Sequence, residues 1–517
     1  MAEVEPEHSA DFNYYYGTAL ARLGRLDEAQ KAFENGLSQQ PGDKRFSIEL
    51  AGVFFKRKNY AAAADHLRRA LRLDPADNYA NDFLASVYFL QGNISAALKY
   101  WNRISKPEIE EVRIEPAPMV APALLDHAFT ISPASALDLR ELQTTEARVR
   151  GLDIFSNYRF DLEARPDEKF DLVFRAHERN ADFKWEWLIG LLSGLPYQTL
   201  NPEFFNIDRR AINSESLIRW DPEKRRFQTN LSSPLFGNPK RRVRVVLDSR
   251  NENWEVRRSF ADPGPALGSL NLRRQAIAMT LTSFVTGRLD WSTGFELSHR
   301  DFRNVVAGDI LTPDMLAQGF QLKHLAELNY KLLDAPEHRL SLEGRANSQF
   351  GRIWSQESNV FAKFQASMEA RWFPQGAGDD YGMREKISAG QTLGETPFDE
   401  LFILGVERDN DLLMRAHIGT RDGRKGSAPL GRDYFLSNWE LDKNVYNNGL
   451  MNFKLGPFLD NGKITGSAVG LGSQPWLWDL GAQAKVRALG VGVVFSYGKD
   501  LRSGNNAFYL RFTRFLD

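Results

Sequence analysis

The sequence contains no cysteine, and its charges almost cancel. Its 517 residues carry a formal net charge of −1. Without cysteine there are neither disulfides nor thiolate metal ligands, and the balanced charge argues against a nucleic-acid partner, which requires a basic surface. The 8 histidines are scattered without the spacing of a metal site, and no Gly-x-Ser-x-Gly motif is present. We therefore predict neither an enzyme nor a bound metal or cofactor.

Long apolar runs are also absent. No stretch approaches the roughly 18 residues that a transmembrane helix requires. The strands of a transmembrane barrel escape this criterion, because lipid-facing and lumen-facing residues alternate along them. Residues 1–5 show neither the basic nor the apolar part of a signal peptide. An exported protein would therefore require that a signal peptide has been removed.

Residues 1–107 are dominated by a repeat with a period of about 34 residues. Small residues recur at equivalent positions, namely Gly17, Ala51 and Ala85, and also Ala29, Ala63 and Ala97. Pro41 and Pro75 stand at the ends of successive repeats, where proline stops a helix. The pattern resembles the tetratricopeptide repeat. Because helical repeats present concave binding surfaces, we expect this region to bind a protein partner; a spacer or a stabilising cap is the alternative.

Residues 108–180 change to a mixed α/β pattern. The order is strand, helix, helix, strand, strand, with strands expected near residues 110–114, 158–162 and 170–175 and helices near 121–129 and 136–150. This order resembles a POTRA domain, which implies guidance of unfolded clients through a sheet edge. A rigid connector is the alternative role.

Residues 181–517 alternate with a period of two. In residues 360–372, Val360, Phe364 and Met368 fall on one face, while Lys363 and its polar neighbours fall on the other. A soluble β-sandwich also alternates, but its strands are usually shorter. Long strands with a mixed-charge face and aromatic ends favour a transmembrane antiparallel β-barrel of about 16 strands. The chain is therefore predicted to be multidomain: an all-α repeat, a small α+β domain and a barrel.

Two short motifs lie within the predicted barrel. Met414-Arg415-Ala416-His417 is part of a long polar loop, and Phe458-Leu459-Asp460-Asn461-Gly462 is part of a late strand. Together they resemble the signature of the BamA-like outer-membrane barrels, the bacterial surface antigen family. The resemblance implies that Arg415 pairs with Asp460 and anchors the loop, with Phe458 and Gly462 completing the strand motif. Ala416 and His417 depart from the family pattern, so the other loop contacts of the family are not expected. The alternative is that both charges are ordinary members of a charged lumen.

The resemblance also implies a function. It predicts a protein in the outer membrane of a Gram-negative bacterium, with its N-terminal domains in the periplasm, that inserts or exports unfolded clients through a seam in the barrel wall. We expect the first strand near residues 187–200, with Gly190 and Gly194, and the last strand to carry Phe508, Leu510 and Phe512. Contacts with outer-membrane lipid and with a periplasmic partner of the repeats are implied. The alternatives are a passive pore or structural barrel, and a secretion partner dedicated to one substrate.

Overall fold

The protein consists of a helical repeat, a small α/β module and a large β-barrel. The computed structural model describes residues 9–167, 169–179, 184–192, 194–308, 310–355, 358–374, 380–448, 451–466, 475–488 and 491–513. Among the helices of these residues, none is both long enough and apolar enough to cross a membrane.

Within residues 9–107, the repeat region contains six α-helices in antiparallel pairs. They are α1 (Ala10–Arg22), α2 (Leu26–Gln39), α3 (Lys44–Lys56), α4 (Tyr60–Leu73), α5 (Asn78–Leu90) and α6 (Ile94–Trp101). The repeat also governs the helix starts, because Ser9, Asp43 and Asp77 each cap the first helix of a pair with a side-chain oxygen. A Cβ on Gly17 would lie 2.7 Å from the Phe33 ring, which explains the small residue at this position.

The α/β module follows directly. Its elements are β1 (Glu108–Glu115), α7 (Pro122–Ala128), β2 (Ser135–Ala136), α8 (Leu139–Leu152), β3 (Phe155–Ala164) and β4 (Phe170–Glu178). The sheet order is β2-β1-β4-β3, with β1 parallel to β4. The predicted order of strands and helices is confirmed, and the two-residue strand β2 is an addition that its length kept from recognition.

The later helices of the repeat region share one hydrophobic core with the module. The Phe170 ring on β4 contacts Phe89 of α5 and Trp101 of α6, with centroid distances of 5.6 and 5.4 Å. Buried residues from α3 through β4 belong to the same cluster. The last repeat is therefore packed on the module rather than tethered to it.

The remainder of the chain forms the barrel. One helix, α9 (Lys184–Leu192), precedes it. The strands are β5 (Thr199–Leu200), β6 (Glu203–Ile207), β7 (Ile212–Trp220), β8 (Lys224–Leu235), β9 (Asn238–Val256), β10 (Gly268–Phe284), β11 (Leu289–Val306), β12 (Gly319–Ala335), β13 (Leu340–Trp354), β14 (Ser358–Trp372), β15 (Tyr381–Gly394), β16 (Phe402–Ile403), β17 (Thr420–Arg421), β18 (Arg424–Lys425), β19 (Leu430–Gly431), β20 (Asp433–Asn447), β21 (Met451–Thr465), β22 (Leu477–Ala488), β23 (Val491–Asp500) and β24 (Asn506–Thr513). All of these except β16 and β19, which pair with each other in a separate two-stranded sheet, belong to one closed sheet. The long strands that follow one another in it pair in antiparallel fashion.

The two faces of the barrel wall differ as predicted. On β14, Val360 and Met368 point outward and are 59% and 48% exposed, whereas Lys363 points inward and donates to the Glu400 carbonyl. Large apolar side chains are exposed on the outer face of most long strands. A continuous apolar exterior around a polar interior is typical of a barrel in lipid. The predicted antiparallel barrel of about 16 strands is confirmed as a fold.

The predicted position of the first strand is wrong. Gly190 lies in helix α9, and Gly194 lies in the turn before the 3₁₀ helix Leu195–Tyr197. Pro196 supplies no backbone donor and suits a turn rather than a strand interior. The first strand is instead formed by β5 and β6, which Pro202 separates and which both pair with β7.

The barrel closes between this interrupted first strand and β24. The turn after β6 contacts the module, since Arg209 Nε donates to the Met119 carbonyl at 2.6 Å. The end of β22 lies at the same rim, where Arg487 reaches the Ser156 carbonyl at 3.5 Å. Because β23 and β24 then reverse direction in turn, β24 also ends at this rim. The two strands at the seam therefore run the same way, which breaks the antiparallel pattern of the wall.

The module and the last repeat lie against that rim of the barrel. Arg242 Nη1 donates to the Leu152 carbonyl at the end of α8, at 2.7 Å. Beyond α8, Lys99 of α6 forms a 2.6 Å ion pair with Glu337 in the turn between β12 and β13. Burial alone would raise the pKa of the Glu337 carboxyl, but the hydrogen bond and charge of Lys99 outweigh it and hold the pKa below its usual value. The N-terminal regions thus dock directly on the barrel turns.

Candidate functional site

A long segment between β15 and β20, residues 395–432, folds into the barrel; we call it the lumen loop. It includes the 3₁₀ helix Phe398–Glu400 and the short strands β16 to β19. Asp399 of the loop pairs with Arg300 on β11. Arg415 of the loop pairs with Asp460 on β21, across the barrel from β11. Leu404 and Met414 of the loop are fully buried. The loop therefore crosses the lumen and packs against both sides.

Arg415 and Asp460 form the central contact of the loop tip. Arg415 Nε and Nη2 donate to the two carboxylate oxygens of Asp460 at 2.8 and 2.5 Å, and the Arg415 backbone N–H donates to the same carboxylate at 3.0 Å. The side chains are 2% and 0% exposed. A bidentate, charge-assisted contact of this kind is among the stronger hydrogen-bonded arrangements.

The other residues of the strand motif also contact the loop. The guanidinium of Arg415 lies 3.8 Å from the centroid of the Phe458 ring, a favourable cation–π distance. A Cβ on Gly462 would lie 3.0 Å from Met414 Sδ, so glycine leaves room for the loop. Both motif residues therefore shape the surface on which the loop tip lies.

His417 makes a contact that the sequence reasoning missed. The Ala416 backbone N–H donates to Asp479 Oδ2 at 2.7 Å, and His417 Nδ1 lies 3.1 Å from the same oxygen. On the other side of the ring, His417 Nε2 lies 3.8 Å from Asp500 Oδ2. Asp460, Asp479 and Asp500 are cross-strand neighbours on β21, β22 and β23. The two departures from the family motif thus face two further aspartates of one row.

His417, Asp479 and Asp500 are grouped closely enough to be considered as a metal site. One ligand atom from each of His417, Asp479 and Asp500 lies within 4.8 Å of the others. Both ring nitrogens, however, face carboxylate oxygens, and an ionised carboxylate only accepts hydrogen bonds. A metal would need a lone pair on one ring nitrogen, so the geometry suits a protonated imidazole better than a metal ligand.

The first part of the loop carries acidic residues into a basic region of the wall. Asp399 forms a 2.7 Å ion pair with Arg300. Glu400 lies 2.9 Å from Lys323 and 3.6 Å from Arg274. These partners belong to β10, β11 and β12. The side chains are almost fully buried, and buried charges of this kind require close partners.

Asp409 provides a further acidic anchor. It lies 2.7 Å from Arg226 on β8 and 3.3 Å from Arg219 on β7. Within the loop, Lys425 contacts Asp409 at 3.2 Å and also reaches Glu252 on β9 at 2.8 Å. Apart from Asp411, Arg424 and Lys425, the pattern is directional: acidic loop residues meet basic groups of β7–β14, and the basic tip meets carboxylates of β20–β23.

Of the predicted seam residues, Phe508 and Leu510 lie on β24, where the wall closes. Phe508 on β24 is 62% exposed and points outward. The Leu510 carbonyl accepts a 3.4 Å hydrogen bond from the Tyr197 hydroxyl across the seam. The side chain of Phe512 lies outside the described residues. Gly190 and Gly194 precede the first strand, so they are near the seam in the chain but do not form its edge.

Comparisons with known proteins agree with this architecture. A tetratricopeptide-repeat family model matches residues 16–78. No curated protein matches the chain by sequence. Among solved structures, CdiB from Escherichia coli is 14% identical with a TM-score of 0.50, covering 79% of this chain and 75% of that one. BamA from Haemophilus ducreyi lacking POTRA domains 1–3 is 10% identical with a TM-score of 0.47, covering 78% and 84%. CdiB from Acinetobacter baumannii is 11% identical with a TM-score of 0.44, covering 78% and 73%.

At sequence identities this low, the structural similarity establishes the fold alone. The chain combines an N-terminal tetratricopeptide repeat, a POTRA-like module and a barrel with the architecture of the CdiB barrel of Escherichia coli. The resemblance predicted from the two motifs is confirmed at the level of the fold.

Proposed function

We propose that this protein is an outer-membrane factor that inserts or exports client proteins through the seam of its barrel, with its repeat region and module in the periplasm. The observation that carries the proposal is the filled lumen. The lumen loop is held by buried ion pairs to both sides of the wall, from Arg300 on β11 to Asp460 on β21. A path through the lumen would require those pairs to break, at a cost typical of buried charges.

The seam supports the same proposal. Its first strand is short and is interrupted at Pro202, and it runs in the same direction as β24. A weakly paired edge can template an incoming strand. Unfolded clients can supply the strand that such an edge would pair with. The exposed surface of the repeats suits a periplasmic protein.

The test is to lock the seam. Because the chain has no cysteine, pairs of cysteines can be introduced between residues 197–200 and Asn506–Thr513 without competing thiols. A disulfide that forms there should stop client insertion, and reductant should restore it. The matched control is a cysteine pair at Ala346 and Ala366, which are direct cross-strand neighbours far from the seam. Normal insertion by the locked protein would refute the seam mechanism.

Depletion in cells separates the alternatives. Loss of many barrel proteins from the outer membrane is expected for a general assembly factor, and loss of one exported species for a dedicated secretion partner. A high open-state conductance in planar bilayers, together with an unchanged outer-membrane proteome, would instead indicate a passive pore or structural barrel.

A further inference from the structure

We propose that the lumen loop also holds the seam closed, with Arg408 as its contact on the first-strand side and Asp411 as its contact on the last-strand side. This inference rests on the proposed function, since it treats the seam as the place where the wall opens. Arg408 and Asp411 are three positions apart in the loop, so one short segment reaches both edges.

The first-strand side is held by Arg408. Its Nη1 donates to Thr199 Oγ1 at 3.0 Å, and its guanidinium lies 3.7 Å from the centroid of the Tyr197 ring. Thr199 is 3% exposed, so the hydrogen bond is shielded from water. The Tyr197 hydroxyl in turn donates to the Leu510 carbonyl of β24 at 3.4 Å. A chain of contacts therefore runs from the loop across the seam.

The last-strand side is held more weakly. Asp411 Oδ1 lies 3.4 Å from Arg511 Nη2 on β24, and the two side chains are 85% and 47% exposed. Exposed ion pairs contribute little to stability. The loop therefore holds the β5 side of the seam more firmly than the β24 side. When the seam opens, we expect β24 to leave the loop before β5 does.

We call the contacts of Arg408 and Asp411 the clasp. These contacts depend on how the loop is anchored in the lumen. Asp409, between the two contacts, pairs with Arg219 and Arg226 of the wall at 3.3 and 2.7 Å. Arg219 is itself the cross-strand neighbour of Thr199. A loop seated in the lumen thus positions Arg408 and Asp411 at the seam, and a displaced loop withdraws both.

Hydrogen exchange measures this directly. We compare the full chain in lipid nanodiscs with Arg408→Ala and Asp411→Asn, following the amides of β5 and β24 by mass spectrometry. The controls are Arg421→Ala and Asp422→Asn. Arg421 donates to backbone carbonyls of another loop, and Asp422 is 87% exposed. Removal of Arg408 should speed exchange of the seam amides roughly 5- to 30-fold, corresponding to the loss of one shielded hydrogen bond and one cation–π contact. Asp411→Asn should have a smaller effect in the same direction.

Seam exchange no faster than in the two controls would overturn the clasp. If Arg408→Ala does not fold, as read from heat-modifiable migration on gels, Thr199→Val and Tyr197→Leu remove its two partners singly and carry the same expectation. The outcomes also separate this inference from the proposed function. Faster seam exchange with unchanged client insertion supports the clasp and contradicts the function, whereas altered insertion with unchanged exchange supports the function and contradicts the clasp.

Discussion

The pair formed by Arg415 and Asp460 gives the most quantitative prediction. Asp460 accepts three hydrogen bonds from Arg415 and one from Asn438, and it is fully buried. Removing one partner of such a pair leaves an uncompensated charge and typically costs about 3–5 kcal/mol. Arg415→Met should reach the lower end of that range, because Asp460 then keeps only Asn438 and the backbone N–H of residue 415 as donors and has lost its cationic partner. Asp460→Asn should cost less, because Arg415 retains Glu440 at 2.6 Å.

A double-mutant cycle tests the coupling. Urea unfolding in lipid vesicles gives the free energy of unfolding of each variant, and protease resistance of residues 395–432 reports the loop itself. The double variant should be little worse than Arg415→Met alone, since the charge that remained unpaired is also removed. Additivity of the two single effects within about 0.5 kcal/mol, the spread expected for independent sites, would refute the pairing. A charge swap, Arg415→Asp with Asp460→Arg, should rescue only partly, because Asp460 also accepts a backbone N–H.

Three further predictions concern the docking surfaces and the loop tip. Gly151→Val should loosen the module from the barrel by about 1–3 kcal/mol, because a Cβ there would lie 2.3 Å from the Phe284 ring; limited proteolysis of α8 measures it, with no change as the contrary result. The ion pair of Glu337 and Lys99 should hold the repeats on the barrel at neutral pH and release them as the pH falls below the usual glutamate pKa of about 4.3. Because the pKa of Glu337 is lowered in the folded protein, the stabilisation that the ion pair provides is lost when the carboxylate is protonated. Spin-label distances between the repeats and the barrel should lose this acid response in Glu337→Gln. His417→Ala should make the loop tip more protease-sensitive, because Asp479 then keeps the Ala416 N–H but loses the contact with the ring; a hydrogen bond to a charged group is worth about 1.5–3 kcal/mol, and unchanged sensitivity would contradict the contact of His417 with the aspartate row.

The repeat and the barrel were predictable because their patterns are periodic. The 34-residue spacing and the alternation along strands each reflect which face of an element is buried. Each pattern recurs in every repeat or strand, so it can be recognised from a single sequence. The loop pair was predictable for another reason, namely that Arg415 and Asp460 belong to motifs with a known resemblance. The POTRA-like order was recognisable because its strands and helices are separated by clear turns.

The first strand and the contacts of the loop were not predictable in this way. Residues 187–200 are apolar without a consistent period, and such runs do not distinguish a strand from a buried helix. The contact between His417 and Asp479 joins residues 62 positions apart, and no spacing rule connects them. The only available signal was the recurrence of one aspartate in each of β21, β22 and β23, which has meaning only once their register is known.

The arrangement of charges explains why the loop has a single orientation in the lumen. Three of its buried acidic residues, Asp399, Glu400 and Asp409, meet basic groups from β7–β14, and its basic tip meets the aspartates of β21–β23. A reversed loop would place like charges together in a buried region, which is strongly unfavourable. The same orientation brings Arg408 and Asp411 to the seam. The ion pairs that anchor the loop therefore lie away from the seam. Through the positions of Arg408 and Asp411, they nevertheless determine whether the seam is held shut.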